Sequence, residues 1–371
     1  MNTTELMQDF QKLSDTEVFY KRVFNQRGEK YANNEYLDSF DFMDVITRNS
    51  VFATQAPEHA FVLPDEITDS HHFFRSNKDA SVTIFRHQRY TPVFNHKHTF
   101  FEFVIVLQGS CLHITADSRF EMKAGEMCLI PPGVYHGVWV SSNSVVLNMH
   151  IRKSFFTNVW SNFSFEKNPV STFFSSSLYG NDPNRFLRFC TNNDEDLKEL
   201  ILGMYIEHHF ENIYKTQVIE SQAIILFSRL LRRYESSIIQ NSSSKYSGTV
   251  SDEFITYIEQ NIADVNLENM AKHFNYSPQY ISKKIKASSG SSFSEIVKQI
   301  RFEQAKKLLS HSNMSVGEVS RTLGYMNAEN FTRSFKTMSG MSPKEYKKSL
   351  SSSEPKVPVK AEDKSDATTQ E

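Results

Sequence analysis

Four residues between positions 96 and 136 carry side chains that bind divalent metal ions in proteins. They are His96, His98, Glu102 and His136. Three imidazoles and one carboxylate form a ligand set suited to zinc, nickel, iron or manganese. Positions 96, 98 and 102 are all even, so on a single β-strand their side chains would face the same side, and His136 would join them from a neighbouring strand. The spacing therefore favours one shared polar site, with a divalent metal as its candidate cofactor.

Two other interpretations of these residues stay open. An inward-facing cluster of histidines and a carboxylate can hydrogen-bond a polyol without any metal. The cluster can also be a purely structural part of a core. Arg86 is a further candidate to line a pocket, although it can equally lie exposed on an outer face. The predicted ligand-binding residues are His96, His98, Glu102, His113, Tyr135 and His136.

The four residues lie in a segment, from about Ser81 to Ile151, whose side chains alternate with the period of 2 that is typical of β-strands. Strands in this segment must therefore position the set. Turn signals such as Gln108-Gly109 and Pro131-Pro132-Gly133 separate the strand-like runs. Several short strands at regular spacing predict a small antiparallel barrel or jelly roll. The runs are VTIFRH, FEFVIVL, CLHIT, MCLI and VVLNMHI.

This stretch resembles the cupin pattern in two motifs. The first consists of His96, His98, Glu102 and Gly109, and the second of Gly125, Pro131-Pro132-Gly133 and His136. The resemblance allows a catalytic alternative, a metal-dependent cupin enzyme such as an oxygenase or a sugar isomerase. No further acid–base pair accompanies the set in the sequence, so we expect the chain not to be an enzyme.

Helical spacing replaces the strand pattern between Leu267 and Tyr346, where two helix-turn-helix units are predicted. In the first, LENMAKHF buries one face, Asn275 makes the turn, and Ser277 caps a helix that begins at Pro278. Ile281 and Ile285 point inward, so a polar and cationic face is left for a DNA groove.

The second unit repeats this logic about fifty residues later. Gly324 supplies its turn, and Phe331 and Phe335 anchor its second helix. The segment SFSEIVKQIRFEQAKKLL between the units predicts a connecting helix of roughly 25 Å. A rigid helix of that length can set two recognition helices in successive major grooves, about 34 Å apart.

These eighty residues resemble the AraC/XylS-type DNA-binding domain. The matching positions are Gly290, Phe293, Arg301, Ala305, Leu308, Leu309, Gly324, Tyr325, Phe331, Phe335, Lys336, Gly340, Ser342, Pro343 and Tyr346. Mild departures from the family pattern are Asn275, Ile285 and Ser320. The resemblance implies a homodimeric regulator that binds half-sites of promoters in double-stranded DNA. It also implies that the regulator responds to a small-molecule inducer, commonly a sugar. Activation is the commoner mode in this family, and an activator would also contact RNA polymerase.

Exposure and the family's recognition positions together predict the DNA contacts. The residues expected at base edges are Gln279, Ser282, Lys283, Asn327, Glu329, Asn330 and Arg333. The residues expected at phosphates are Lys284, Lys286 and Lys336. The ligand set also allows a metal-responsive regulator, in which His96, His98, Glu102 and His136 sense the metal itself.

Charge supports a DNA-binding C-terminal part. The whole chain has a formal net charge of −2. Residues 251–350 hold 14 Lys and Arg against 10 Asp and Glu, a net charge of +4, whereas residues 1–250 hold 24 against 28, a net charge of −4. The basic segment has the electrostatic character expected for phosphate contact.

Composition predicts a cytoplasmic protein with no membrane partner. The three cysteines have no CxxC spacing, which indicates a reducing compartment. The N-terminal residues lack the features of a signal peptide. The longest apolar run, about eight residues, is far below the ~20 that a membrane span requires.

The fold class that follows is multidomain α+β, with an N-terminal cupin-like β-barrel flanked by helices and a C-terminal all-α double helix-turn-helix. In residues 153–239, Ile219, Ala223, Leu226 and Leu230 form a coiled-coil seam that serves either dimerisation or packing within the chain. The predicted parts are a helical lid at 1–80, the barrel at 81–152, the helical packing or dimerisation region at 153–239, a flexible linker at 240–250, the DNA-binding domain at 251–350 and a disordered tail at 351–371.

Overall fold

The computed structural model describes residues 2–28, 36–49, 65–69, 74, 80–115, 118–141, 143–160, 186–210, 212–234, 237–240, 250–312 and 314–352. By contacts, the chain divides into two compact units. One contains Met1–Tyr257 and Leu267–Phe293, and the other contains Ile258–Asn266 and Ser294–Glu371. Among the described helices, none combines the length and apolar character needed to cross a membrane. Most of the predicted linker and tail lies outside the described residues.

Three helices form near the N-terminus, within the segment predicted to be helical. They are α1 (Thr3–Gln11), α2 (Asp15–Asn25) and α3 (Ser39–Arg48). Capping boxes begin α1 and α2, pairing Asn2 with Glu5 and Ser14 with Glu17. The apolar faces of α2 and α3 pack with Tyr90 of the following domain.

Two facing β-sheets make up the next domain, and the five predicted strand runs are all present. The larger sheet contains β2 (Val82–Arg86), β4 (Phe101–Gln108), β7 (Glu126–Ile130), β9 (Val145–Ile151), β10 (Leu187–Cys190) and β11 (Ile239–Gln240). Its order is β11-β10-β7-β4-β9-β2, with antiparallel neighbours. The smaller sheet has β5 (Ser110–Thr115) between β6 (Arg119–Lys123) and β8 (His136–Val140). A parallel pair, β1 (Glu66–Ile67) and β3 (Lys97–His98), lies beside them.

The domain core lies between the two sheets. Val104 and Val146 of the larger sheet meet Val138 and Val140 of the smaller one in one apolar cluster. Gly109 allows the tight turn from β4 to β5, because its φ is +70° and a Cβ there would meet the Ser144 side chain at 2.4 Å. This packing fixes which residues of each strand face inward.

Three helices follow, α4 (Lys153–Trp160), α5 (Glu195–His209) and α6 (Lys215–Tyr234). Phe227 of α6 packs against Phe103 of β4, with ring centroids 5.7 Å apart. Because side chains alternate along a strand, α6 covers the sheet face opposite to that of Glu102. The predicted seam is buried by packing within the chain. Its residues are at most 2% exposed, and they are Ile219, Ala223, Leu226 and Leu230.

The first helix-turn-helix has the predicted local structure. Helix α7 (Val250–Gln260) precedes α8 (Leu267–Phe274) and α9 (Pro278–Ser289). Asn275 adopts a left-handed φ of 55° at the turn, and the Ser277 hydroxyl accepts the N–H of Tyr280 as an N-cap. Ile281 and Ile285 are fully buried.

The second helix-turn-helix belongs to the other unit. Its elements are α10 (Phe293–His311), α11 (Val316–Thr322), α12 (Ala328–Ser339) and α13 (Pro343–Ser352). The nineteen residues of α10 give a length of about 28 Å. Gly324 has a φ of +72° and lies against Ala263, whose carbonyl oxygen would be 1.8 Å from a Cβ. Phe331 and Phe335 of α12 are buried, as predicted.

Candidate ligand site and nucleic-acid interface

Glu102 is the centre of a buried polar cluster between the two sheets. Its Oε2 atom lies 3.0 Å from His136 Nε2 and 3.3 Å from His98 Nε2. Its Oε1 atom lies 3.6 Å from His150 Nε2. All four side chains are at most 4% exposed. Predicted residues from distant parts of the chain therefore meet around one carboxylate.

The prediction that positions 96, 98 and 102 share one strand is wrong. The chain bends at Thr99 and Phe100, between β3 and β4, because β3 pairs with β1 and the Thr99 N–H donates to the Ile67 carbonyl. His96 instead forms an isolated bridge with His136, in which each backbone N–H donates to the other residue's carbonyl. The histidines therefore meet Glu102 because the chain bends after His98 and because His96 pairs with His136, and not because side chains alternate along one strand.

His150 belongs to the cluster and was not predicted. It lies directly opposite Glu102 in the register of β4 and β9, so the two side chains share the inner face of the sheet. The alternation in VVLNMHI places His150 on the same face as Asn148, but only the strand register identifies Glu102 as its partner.

Several polar atoms on the inner face have no hydrogen-bond partner within the described residues. They include both ring nitrogens of His113, the Thr83 hydroxyl and the Asn148 side-chain oxygen. His98 Nε2 is also not aligned to donate to Glu102. An unsatisfied buried polar group costs about 1–3 kcal/mol, so such groups normally have a partner. Their grouping around Glu102 makes this cluster a candidate site for a polar ligand.

The charge state of the cluster follows from its surroundings. Burial by itself raises the pKa of Glu102, but hydrogen bonds from His136 and His150 outweigh it and hold that pKa well below its usual value. Burial lowers the pKa of His98 and His113, and lowers that of His96 to about 3. Near neutral pH, an ionised Glu102 therefore faces neutral imidazoles at His96, His98 and His113.

The same cluster fits a divalent metal. His96, Glu102 and His136 each offer one ligand atom, and these atoms lie within 4.8 Å of one another. An ionised carboxylate and a neutral His96 are the forms that bind metals. A bound ion would replace the 3.0 Å contact between Glu102 and His136.

Two of the predicted pocket residues lie elsewhere. Arg86 does not line the cluster, because its guanidinium donates to the Glu17 carboxylate at 3.0 Å and to the Phe10 carbonyl at 3.1 Å. Tyr135 is 41% exposed, and Lys97 Nζ lies 5.5 Å from its ring centroid. The buried cluster is thus built chiefly from histidines.

The candidate DNA-contacting residues lie on α9 and α12. On α9 the cationic and amide side chains are exposed, and Ser282 is half-buried. These exposed residues are Gln279, Lys283, Lys284 and Lys286. On α12 the exposed candidates are Glu329, Asn330, Arg333 and Lys336. Asn327 is also exposed, but its side-chain oxygen accepts the Asn330 N–H at 2.8 Å as the N-cap of α12.

Two family models match these two parts of the chain. One described as an AraC-like ligand binding domain matches residues 80–205, and one described as a helix-turn-helix domain matches residues 270–349. Together they cover more than half of the chain. The chain belongs to the AraC family of DNA-binding transcriptional regulators.

Individual AraC-family relatives agree with this assignment. The transcriptional activator RhaS of Escherichia coli is 23% identical over 74% of this chain and 94% of its own. The raffinose operon regulatory protein RafR of Pediococcus pentosaceus is 29% identical over 42% of this chain, which spans about half (54%) of that relative. Other relatives are matched over as little as 18% of their length. The relatives are regulators, in agreement with the expectation that the chain is not an enzyme.

Among solved structures, the C-terminal domain of AraT, a response regulator from Geobacillus stearothermophilus, shares 30% identity with this AraC-family chain. The similarity covers 28% of this chain and 88% of that domain, with a TM-score of 0.27. A TM-score this low carries no structural inference.

Proposed function

We propose that this AraC-family protein regulates transcription in the cytoplasm under the control of an uncharged, hydroxyl-rich molecule bound around Glu102. The observation that carries the proposal is the set of unpartnered polar atoms on His113, Thr83 and Asn148 beside an ionised carboxylate. Sugar hydroxyls both donate and accept hydrogen bonds. They can therefore donate to Glu102 and act as donor or acceptor for each of the surrounding unpartnered atoms. The raffinose operon regulator RafR supports a sugar as the first class to test.

Electrostatics narrows the class of ligand. The Glu102 carboxylate is buried, and neutral imidazoles at His98 and His113 do not offset its charge. A second buried anion would be repelled at short range and would lose its hydration. The cluster therefore favours neutral hydrogen-bonding ligands over carboxylates and phosphates.

The DNA-reading part of the proposal rests on the exposed faces of α9 and α12. Arg333 pairs best with guanine, Asn330 and Gln279 with adenine, and Glu329 with cytosine. Lys284, Lys286 and Lys336 contact phosphates and set the register. Through these contacts the protein reads promoter half-sites and, as an activator, brings RNA polymerase to the promoter.

A homodimer in this proposal uses a face of α6 other than the predicted seam. The seam is buried within the chain, whereas Val218 and Ile225, seven residues apart, are 38% and 44% exposed. Between and after them lie Ser221 and Ser228, whose hydroxyls donate to carbonyls of their own helix. Small, internally satisfied side chains beside apolar ones allow two helices to approach closely.

Calorimetric titration of the full chain with neutral sugars tests the ligand site. We expect binding by at least one sugar that is weakened at least tenfold in Glu102→Gln and in His113→Phe, because each loses hydrogen bonds to the ligand. Glu121→Gln, at an exposed position of β6, is the matched control and should bind as the wild type does. Sugar binding that survives both interior substitutions would place the ligand elsewhere and refute the proposal.

A metal-responsive regulator is the second candidate, favoured by the grouping of His96, Glu102 and His136. When bound, the metal would supply a cationic centre to which a ligand oxygen could attach. Elemental analysis and zinc or nickel titration of untagged protein distinguish the candidates. A metal site loses its ion in His136→Ala and keeps it in His113→Ala, since His113 lies outside the ligand group. Equal metal content in both variants contradicts a metal site at this position.

A further inference from the structure

Met326 has the most exposed large apolar side chain among the described residues. It is 95% exposed, ahead of Phe40 at 86%. It lies in the turn between α11 and α12, directly before Asn327, the N-cap of α12. The first turn of α12 contains Glu329 and Asn330, which are proposed DNA contacts. An apolar side chain is therefore presented to solvent at the end of the helix that is proposed to enter a DNA groove.

The fold of the second helix-turn-helix does not use the Met326 side chain. An apolar residue before an N-cap often packs on the fourth residue of the helix and fixes the entry of the chain. In α12 the fourth residue is Phe331, which is 1% exposed. The ring that packs on it belongs to Tyr325, with centroids 5.3 Å apart. Since Tyr325 supplies this contact, packing within the domain does not explain an apolar residue at position 326.

The first helix-turn-helix provides a comparison within the same chain. Tyr276 directly precedes Ser277, the N-cap of α9, as Met326 precedes the N-cap of α12. Tyr276 is 40% exposed, and its ring stacks on that of Tyr280 with centroids 4.7 Å apart. A second ring, that of Phe254, lies 6.2 Å away. The apolar residue at this position therefore packs on its own unit in the first case and extends into solvent in the second.

The backbone on both sides of Met326 is held in place. On one side, the Arg301 guanidinium lies 5.1 Å from the centroid of the Tyr325 ring, and the Tyr325 hydroxyl donates to Ser334 Oγ at 3.3 Å. On the other side, the Asn327 side chain accepts a helix N–H at 2.8 Å. A contact made from a backbone that is already ordered costs little further conformational entropy on binding.

The chemistry of a thioether restricts what Met326 can recognise in DNA. In helix-turn-helix proteins, residues at the N-terminal end of the recognition helix contact base edges in the major groove. Those edges offer hydrogen-bond donors and acceptors and one apolar group, the C5-methyl of thymine. Methionine has no donor and only a weak acceptor, and its flexible, polarisable side chain adapts to apolar surfaces. Of the groups in the groove, the thymine methyl is the one that it complements.

We propose that Met326 determines specificity by contacting the methyl group of a thymine in the promoter half-site, beside the bases contacted from the first turn of α12. The proposal rests on the proposed contact of α12 with DNA. It adds an apolar contact to a set of predicted base contacts that are all polar. The half-site then has an A·T pair at this position, with the thymine on the strand that faces Met326.

Replacement of single thymines by deoxyuridine tests the proposal, because deoxyuridine lacks only the C5-methyl group. A duplex selected by the full-length chain from random sequences serves as the probe in gel-shift titrations. For the wild type, loss of the methyl at one thymine should weaken binding about threefold to fivefold, as expected for one buried methyl group. Met326→Ala should bind the thymine and uracil duplexes alike at that position, whereas Met326→Leu should keep the difference.

Met341→Ala is the matched control, because it makes the same change at an exposed methionine beyond the C-terminal end of α12. It should distinguish thymine from uracil as the wild type does. The melting temperature of Met326→Ala should equal that of the wild type, since the side chain is exposed. A lowered melting temperature would assign Met326 a packing role and overturn the proposal.

The remaining outcomes separate this proposal from the DNA contact on which it rests. Sequence-specific binding whose uracil sensitivity is absent in the wild type, or is unchanged at every thymine in Met326→Ala, overturns the role of Met326 alone. Sequence-specific binding that is unaffected by Arg333→Ala, Lys336→Ala and Met326→Ala overturns the contact of α12 with DNA and this proposal with it. Loss of uracil sensitivity at one thymine in Met326→Ala, but not in Met341→Ala, supports the proposal.

Discussion

Removal of the Glu17 carboxylate should destabilise the attachment of the N-terminal helices to the sensor domain. The side chain of Glu17 is fully buried on α2 and accepts five hydrogen bonds. Three come from the Arg89 backbone N–H, Nε and Nη2 atoms, at 2.9–3.0 Å. The others come from Arg86 Nη2 at 3.0 Å and from the Ser14 N–H at 2.9 Å. One carboxylate thus forms ion pairs with two guanidinium groups.

The magnitude follows from what Glu17→Ala leaves behind. Arg89 is 2% exposed, so its charge would stay buried without the Glu17 carboxylate, and the carbonyls of Gln11 and Lys12 that accept from its guanidinium carry no full negative charge to replace it. Breaking a buried ion pair from one side costs about 3–5 kcal/mol, a large part of the 5–15 kcal/mol typical of a folded domain. The matched control is Asp9→Ala, which removes an exposed pair with Lys12 and should cost at most about 1 kcal/mol.

Tryptophan fluorescence during urea unfolding measures the effect, because Trp139 lies 5.9 Å from Phe24 of α2. Hydrogen exchange of α1 and α2 then shows whether the loss is local or global. The pKa of Glu17 is held below its usual value, since hydrogen bonds from Arg89 outweigh the effect of burial. The contribution of the Glu17 carboxylate to the free energy of unfolding is therefore fully present above pH ~4.3 and is lost as the pH falls further, through the lowered pKa of the folded state. A cost below about 1 kcal/mol, equal to that of Asp9→Ala, would refute the reasoning.

Three further predictions concern the DNA-binding part. Gly324→Ala should prevent stable folding of the second helix-turn-helix in circular dichroism, because its Cβ would overlap the Ala263 carbonyl; a wild-type melting temperature would contradict this. Ser277→Ala should cost about 1 kcal/mol in urea unfolding by loss of an N-cap, and no change would show that the cap is dispensable. Arg333→Ala should relax base preference, whereas Lys336→Ala should weaken all sequences alike and reduce the salt slope by about 1; equal effects in gel-shift titrations would contradict the assigned roles.

Local rules predicted the helix-turn-helix units well. Ser277, Pro278 and Asn275 specify a cap, a first turn and a left-handed residue through their own chemistry. Ile281 and Ile285 then determine the buried face by helical spacing alone. Such features depend on residues within about ten positions of one another, so one sequence contains what is needed.

The cluster around Glu102 was only partly predictable. His136 lies beside Glu102, as its predicted place in one shared polar site requires, but the path of the chain to His98 includes a bend that depends on pairing between β3 and β1. His150 joins through the β4–β9 register, which links residues almost fifty positions apart. The seam on α6 was recognised as apolar, yet its period does not reveal whether the partner is another chain or Phe103. Long-range partners are decided by tertiary packing, which local spacing does not encode.

The last strand of the larger sheet decides where this sensor can be cut from the rest of the chain. A fragment limited to residues 80–205, the extent of the ligand-domain match, would end inside α5 and lose both α6 and β11. Loss of α6 would expose the face of the sheet that contains Phe103 to solvent. Loss of α2 would remove Glu17, the ion-pair partner of Arg89. Such a fragment should aggregate, whereas one running from residue 2 to Gln240 keeps both faces covered. Production of the isolated sensor for crystallisation or ligand screening should therefore begin from the longer fragment.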